Sequence, residues 1–352
     1  APILRAVKHN QADSTSEDIF LGIDGGGTRT VAVAANARGE LVRRIEIGPA
    51  NVKLLSDAEL IAQFQILARA MPKPTALGIG LAGAWAKSDA RRVREAAGAV
   101  WPGVPCHATN DLEIALRAAQ APGRCSPATK QNAAAAQVLI VSGTGSCAYS
   151  KTARGQDLLI GGWGHVLSDH GSAYQIGLDA LRAIVGDFDR QGGWPKLGAQ
   201  LLRTLQLNAP TELINWAQVA NKPEVAQLAL EVFAAWENDD PLAAEILDAA
   251  ISALAENALT CAHRRAKRGT PIQFVLAGGV LLKQPRFARL LARRLRHAWP
   301  AARVTPLRRE SVWGAVELAR QLLEMKSVGA IISHEPERRA PSRQVSQTES
   351  RL

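Results

Sequence analysis

Two short glycine turns constrain this chain more than any other feature: Asp24-Gly25-Gly26-Gly27-Thr28 and Ser142-Gly143-Thr144-Gly145-Ser146. Each follows an apolar, strand-like run, residues 19–23 or 138–141, and leads into a second run, 30–34 or 147–149. Each pair of runs then meets the same kind of turn, Ala37-Arg38-Gly39 or Ala153-Arg154-Gly155. A glycine turn between strands has no Cβ to block a ligand from the backbone N–H groups. Such nests bind anions, phosphate above all, and hydroxyls at Thr28, Thr144 and Ser146 add donors. Two nests in two related halves predict a nucleotide held in a cleft between two α/β domains.

Composition narrows the partners. The 352 residues are 47% hydrophobic and 21% charged, the balance of a globular chain long enough for two domains. The net charge of +10 first suggests nucleic acid. The arginines, however, are scattered along predicted helices (Arg286, Arg289, Arg293, Arg294, Arg296), without aromatic interleaving or helix-turn-helix spacing. A solvated basic face is the better reading, so no nucleic-acid partner is expected. No apolar run reaches the 18 residues of a membrane helix, and residues 1–18 lack a signal-peptide core; no membrane partner and a cytoplasmic location are expected. Cys106, Cys125, Cys147 and Cys261 lie far apart and form no C-x-x-C, so neither zinc nor a disulfide framework is indicated.

Taken in order, residues 1–18 read as a flexible arm and 41–47 as a half-exposed strand that alternates apolar and charged residues (Leu41, Arg43, Ile45, Ile47). Ser56 and Glu59 form a capping box for a helix to about residue 70. A strand over 75–82, a helix over 88–100 and a short strand over 104–108 lead to Asn110 and Asp111, then to a helix over 112–119. Residues 121–136 read as the crossing into the second half. Ser172 caps a helix through about 185; 196–265 are mostly helical; a strand at 273–276 ends in Ala277-Gly278-Gly279. A helix over 285–298, a strand over 303–305, a helix over 312–325 and a polar tail complete the chain.

Four features carry chemistry. Gly278-Gly279 after a strand is a third glycine turn, able to lie against an adenosine or simply to open a helix. Asp24 places a carboxylate at the mouth of a phosphate nest, which calls for a cation; Mg²⁺, an oxygen-seeking ion that keeps its waters, suits it, through a water molecule. The plainer reading is an Asx-turn aspartate. Asp111, between strand and helix, can take the proton of a sugar hydroxyl as it attacks a phosphate, or can serve as a first-turn helix acid. Gly162-Trp163-Gly164 offers a flat wall for a sugar and Asp169 a carboxylate for its hydroxyls. The alternative is a core tryptophan with an exposed loop acid. His165 and His170 lack a third ligand and read as structural.

The three turns in this order resemble the actin, Hsp70 and sugar-kinase superfamily. More closely, the chain is similar to the BadF/BadG/BcrA/BcrD-type ATPase family, in its N-acetylglucosamine kinase branch, over about residues 19–325. The specific part is Gly161-Gly-Trp-Gly with Asp169-x-Gly171-Ser172-Ala173-Tyr174, joined to Asn110-Asp111. Where the family carries Asp-Glu-Gly-Ser, this chain has Asp169-His170-Gly171-Ser172. The resemblance implies two actin-like (ribonuclease H-like) domains, 19–118 and 119–311, with a helical insert at about 196–265. Residues 312–325 are available to pack on the first domain, and 326–352 form a tail. It implies ATP and Mg²⁺ as cofactors, and a homodimer. ATP phosphates would meet Asp24, Gly25, Gly26, Gly27, Thr28, Gly143, Thr144, Gly145 and Ser146. Gly278, Gly279 and Lys283 would lie by the adenosine. The sugar would meet Asn51, Asn110, Asp111, Gly162, Trp163, Gly164 and Asp169, with Asp111 as base.

The expected activity is ATP-dependent phosphorylation of the 6-hydroxyl of N-acetylglucosamine. Glucosamine kinase and N-acetylmuramic acid kinase are the rivals within the class. An ATPase that activates an iron–sulfur reductase is the rival outside it; that reading needs cysteines at a dimer interface. A sugar-sensing regulator would need a DNA-binding element, which residues 1–18 are too short to supply.

Overall fold

The computed structural model describes residues 18–120, 136–152 and 154–332, with side chains to residue 324. The expected arm before residue 18, Cys125 and the rest of the crossing before 136, Ala153 and the tail beyond 332 lie outside the described residues.

The first half begins with three strands: β1 (Phe20–Gly25), β2 (Thr30–Ala35) and β3 (Leu41–Ile47). β1 is fully apolar apart from Asp24, and β2 is buried along its whole length. Asn36 tightens the β2–β3 turn: its Oδ1 accepts from the N–H groups of Arg38 and Glu40, and Gly39 takes φ 75°. β3 is half-exposed as expected, but Leu41 and Val42 face solvent and only Ile45 is buried. A register shift at Ala34/Ala35 displaces the alternation there. Helix α1 (Asp57–Ala70) starts at the Ser56/Glu59 capping box. Strand β4 (Ala76–Leu81), helix α2 (Lys87–Val100), strand β5 (Cys106–Asn110) and helix α3 (Asp111–Gln120) follow. Sheet order is β3-β2-β1-β4-β5, with β1 antiparallel to β2 and parallel to β4, and β4 parallel to β5.

The second half repeats this plan. Strands β6 (Ala136–Ser142), β7 (Ser146–Lys151) and β8 (Asp157–Gly161) form an antiparallel meander. Helices α4 (Ala173–Gln191), α5 (Lys196–Thr204), α6 (Glu212–Val219), α7 (Lys222–Gln227), α8 (Ala229–Glu237) and α9 (Pro241–His263) follow. Strand β9 (Ile272–Ala277), short helix α10 (Gly279–Lys283), helix α11 (Pro285–Ala298), strand β10 (Ala302–Pro306) and helix α12 (Val312–Ile332) complete it. The order β8-β7-β6-β9-β10 matches the first sheet strand for strand, with β9 and β10 parallel to β6. α11 buries Phe287, Leu291 and Leu295 and leaves Arg289, Arg293 and Arg296 in water, so its charge is a solvated face.

Each half lends its last helix to the other. α12 packs on the first sheet, with Val312 and Val316 against Phe20, Val31 and Val33. α3 packs Leu112, Ala115 and Leu116 on Leu139, Tyr149, Val275 and Ala277 of the second sheet. The two helices also meet, Ile114 against Ala315 and Leu318. Glycines make the fit: a Cβ on Gly78 would stand 1.9 Å from the Ala315 carbonyl oxygen, and one on Gly314 1.8 Å from that of Ile114. Backbone cannot yield as a side chain tip can. Gly78→Ala is therefore expected to destabilise the fold by about 2–3 kcal/mol, read from urea unfolding.

Candidate active site

The parallel strands deliver the site residues at their carboxyl ends, where ligands of α/β sheets bind. Asp24 and Gly25 end β1, Asn110 ends β5, and Asp111 is the first residue of α3. The loop after β3 docks on the same edge: Ala50 N–H donates to the Gly26 carbonyl, and Val52 N–H to that of Ala82. This seats Asn51, whose Oδ1 accepts from the Lys53 N–H at 2.9 Å.

Asp111 lies close enough to Asp24 for its charge to act on the Asp24 carboxyl. Burial, then the Asp111 charge, pushes the Asp24 carboxyl up from 3.8 to about 7, while Arg29 opposes the shift. Burial also raises Asp111, and N–H groups at the start of α3, including that of Leu112, partly offset this. Two crowded carboxylates beside an exposed Gly27-Thr28 turn make an unfavourable pair unless a cation lies between them and a phosphate. Among the described residues no group of three acidic, histidine or cysteine side chains could by itself hold a metal ion. Such an ion would rely on phosphate oxygens and water, as Mg²⁺ habitually does.

The shift has a consequence for stability. Folding raises this pKa, so the contribution is complete below about pH 4 and is lost as pH rises through 7. Asp24→Asn removes the penalty. In metal-free buffer it is expected to raise the melting temperature by at least about 3 °C at pH 8 and by under about 1 °C at pH 4. An equal gain at both pH values would count against the shift.

In the second turn several donors are already engaged. Gly143 N–H donates to Gly145 C=O, Ser146 N–H to Asp169 Oδ1 at 3.3 Å, and the Ser146 hydroxyl to His170 C=O at 2.7 Å. Among the described residues the N–H groups of Thr144 and Gly145 meet no hydrogen-bond partner, nor do those of Gly27 and Thr28 in the first turn, where Gly26 N–H bonds Arg29 C=O. Gly25 serves packing: a Cβ there would meet Leu81 at 2.4 Å, whereas one on Gly27 would meet nothing within 4 Å. The second and third turns face each other, a Cβ on Gly143 coming 3.8 Å from Gly279 N. Between them opens a cavity of about 350 Å³, with Gly143, Thr144, Gly279 and Lys283 on its polar side. Ala226, Leu230 and Phe233 of α7 and α8 form its apolar wall. Its size and apolar wall are those of a small-molecule pocket.

Trp163 is 76% exposed between Gly162 and Gly164, both at positive φ, so it is not a core tryptophan. Gly162 lies on Cys147, which senses the charges of both Asp111 and Asp169; the loop thus borders the cleft. Asp169 is buried, at φ 63°, and bonds Ser146 N–H and Lys222 Nζ (3.0 Å). Its carboxylate lies against the second turn, its Oδ2 2.9 Å from where a Cβ on Gly145 would stand. Asn110 is 3% exposed: its Oδ1 caps α3 through the Glu113 N–H, and its side chain reaches the Tyr149 hydroxyl. Sequence reasoning missed Lys222, and no local signal marks it, since 53 residues separate it from Asp169.

Cys106, Cys147 and Cys261 are free thiols, and burial pushes Cys106 and Cys261 up to about 12 and Cys147 higher still. No helix among the described residues is long and apolar enough to cross a membrane.

Duplicated 3-2-1-4-5 sheets, each with a glycine turn after its first strand, put the chain in the actin-like fold class. Within that class, the chain belongs to the BadF/BadG/BcrA/BcrD ATPase family, whose sequence model matches residues 21–316. It is 26% identical to the N-acetylmuramic acid/N-acetylglucosamine kinase of Clostridium acetobutylicum over 310 residues, 85% of this chain and 97% of the relative. It is 26% identical to the N-acetyl-D-glucosamine kinase of Dictyostelium discoideum over 86% of this chain and 98% of the relative. A candidate N-acetylglucosamine kinase from Porphyromonas gingivalis shares the fold at TM-score 0.62 and 17% identity, covering 85% of this chain and 97% of its own.

Proposed function

We propose that the protein is an ATP-dependent amino-sugar kinase whose substrate is N-acetylglucosamine, phosphorylated on its 6-hydroxyl. The observation that carries this reading is the pairing of Asp24 and Asp111 at the carboxyl ends of one sheet's strands, together with a cavity beside the glycine turns of the other. Asp111 takes the proton of the attacking hydroxyl. The open N–H groups of Gly27, Thr28, Thr144 and Gly145 stabilise charge on the phosphoryl oxygens. Mg²⁺, held near Asp24, would supply charge neutralisation. Trp163 and Asn51 approach the sugar, and closure of the cleft keeps water from the phosphate. The kinase names of the two relatives support the substrate class. Domains over 19–118 and 119–311, a cytoplasmic location and a homodimer belong to this reading.

The test is coupled ADP release with N-acetylglucosamine, glucosamine, N-acetylmuramic acid, glucose and no sugar. Turnover that depends on one amino sugar establishes class and substrate together. Sugar-independent hydrolysis across the panel would sink the kinase reading.

The Asn51 loop gives a sharper check. Arg92 on α2 pins it, bonding the Val52 carbonyl at 2.5 Å, the Leu55 carbonyl and the Asp57 carboxylate. Lys53 is tied to Asp89 at 2.7 Å. Arg92→Ala frees the loop, and KM for the sugar is expected to rise about 10-fold with kcat within about twofold.

A further inference from the structure

A phosphoryl transfer between two domains needs its base held in register with its phosphate turn. Here Asp111 opens α3 in the first half, while β7, which begins at the second turn, belongs to the second half. The structure joins them by a ring of five side chains. Glu113, two residues after Asp111 and 3% exposed in its side chain, accepts from Lys151 Nζ at the far end of β7 and from the Thr109 hydroxyl. Lys151 Nζ also lies 3.6 Å from the Asp157 carboxylate of β8. The Tyr149 hydroxyl donates to Asp157 Oδ1 at 2.5 Å. The Asn110 side chain reaches Tyr149 and, through Oδ1, accepts from Glu113 N–H at 2.8 Å, which closes the ring.

We propose that this ring is an inter-domain clamp in which Glu113 and Lys151 are positioning residues for Asp111. The inference rests on the reading of Asp111 as the base. Asn110 and Glu113 flank Asp111 in the chain, so the first turn of α3 cannot rotate without breaking the clamp. Ser146 and Lys151 bound a single strand, so the clamp fixes the second turn as well. None of the ring's side chains needs to touch the substrate for this. Partners as far apart in the sequence as Glu113 and Lys151 are joined across both halves by one ion pair with a buried carboxylate, and removing Lys151 leaves that carboxylate uncompensated.

The experiment is steady-state kinetics of Glu113→Gln, Lys151→Met and the double variant, on the amino sugar that turns over in the panel. Each single variant is expected to lower kcat about 10–100-fold and leave KM for sugar and ATP within about threefold. The double variant should be no worse than the worse single, because both break one link. A folded Lys151→Met with kcat within twofold of wild type, a loss confined to KM, or fully additive losses would overturn the clamp. Should Lys151→Met fail to fold by circular dichroism, Tyr149→Phe decides: it removes one hydroxyl, and an unchanged kcat overturns the clamp. Asp111→Asn run alongside separates the two ideas. Full turnover there ends the base reading and the clamp together, whereas an inactive Asp111→Asn beside fully active ring variants ends the clamp alone.

Discussion

Asp111→Asn is expected to lower kcat by about 10²–10⁴-fold while KM for both substrates stays within about threefold. Asparagine keeps the shape of the side chain and its ability to accept from N–H groups at the start of α3. It removes the basic oxygen. The two roles open to Asp111 therefore separate cleanly. If it serves only as a first-turn acid of α3, the change costs about 0.5–1 kcal/mol of stability and leaves turnover intact. If it is the base, turnover collapses in a fold that melts almost as before. Its surroundings favour the second result: burial raises its pKa toward the range where a carboxylate accepts a proton usefully. A single-turnover assay, which isolates the transfer from product release, is the measurement that decides.

Two adjacent glycines set up the second large effect. Gly278 has φ 88° and ψ 155°, a region open to glycine alone, and a Cβ there would lie 2.3 Å from the Ser142 carbonyl oxygen. Gly279 has nothing within 4 Å of its would-be Cβ. Gly278→Ala must move the end of β6, and with it the second turn. The expected result is at least about a 100-fold fall in kcat/KM for ATP, together with a loss of stability. Gly279→Ala should leave the melting temperature unchanged. If nucleotide lies in the cavity between Gly143 and Gly279, KM for ATP still rises by about 10-fold or more, because the methyl enters the nucleotide's space. A neutral Gly279→Ala would mean that the third turn only opens α10.

The repeated strand–turn–strand pattern was legible because glycine spacing and apolar runs are local signals, and β1, β2, β6 and β7 lie close to where those signals put them. Capping residues likewise announced α1 and α4. What the glycines do was not legible. Gly25 and Gly27 look alike in sequence, yet one is filled against Leu81 and the other is open, a difference made by β4 and a distant loop. The same holds for Asp169. A carboxylate after Trp163 reads as a sugar ligand in the sequence, while its bonds to Ser146 N–H and Lys222, from backbone at φ 63°, have no local signal. The Glu113–Lys151 link joins residues 38 apart and has no local pattern. Asn110 illustrates the limit well: its place at the end of β5 was predictable, but its engagement by Glu113 and Tyr149 depends on α3 and on the other half.

The crossing of α3 and α12 makes this chain an internal domain swap. Each sheet is finished by a helix encoded with the other, so cutting the gene between the halves would give two fragments with bare apolar faces. Residues 19–118 made alone would lack α12 over Phe20, Val31 and Val33. They should be recovered as aggregate, and co-expression with the remainder should rescue them. For the intact chain, the same exchange implies one melting transition rather than two.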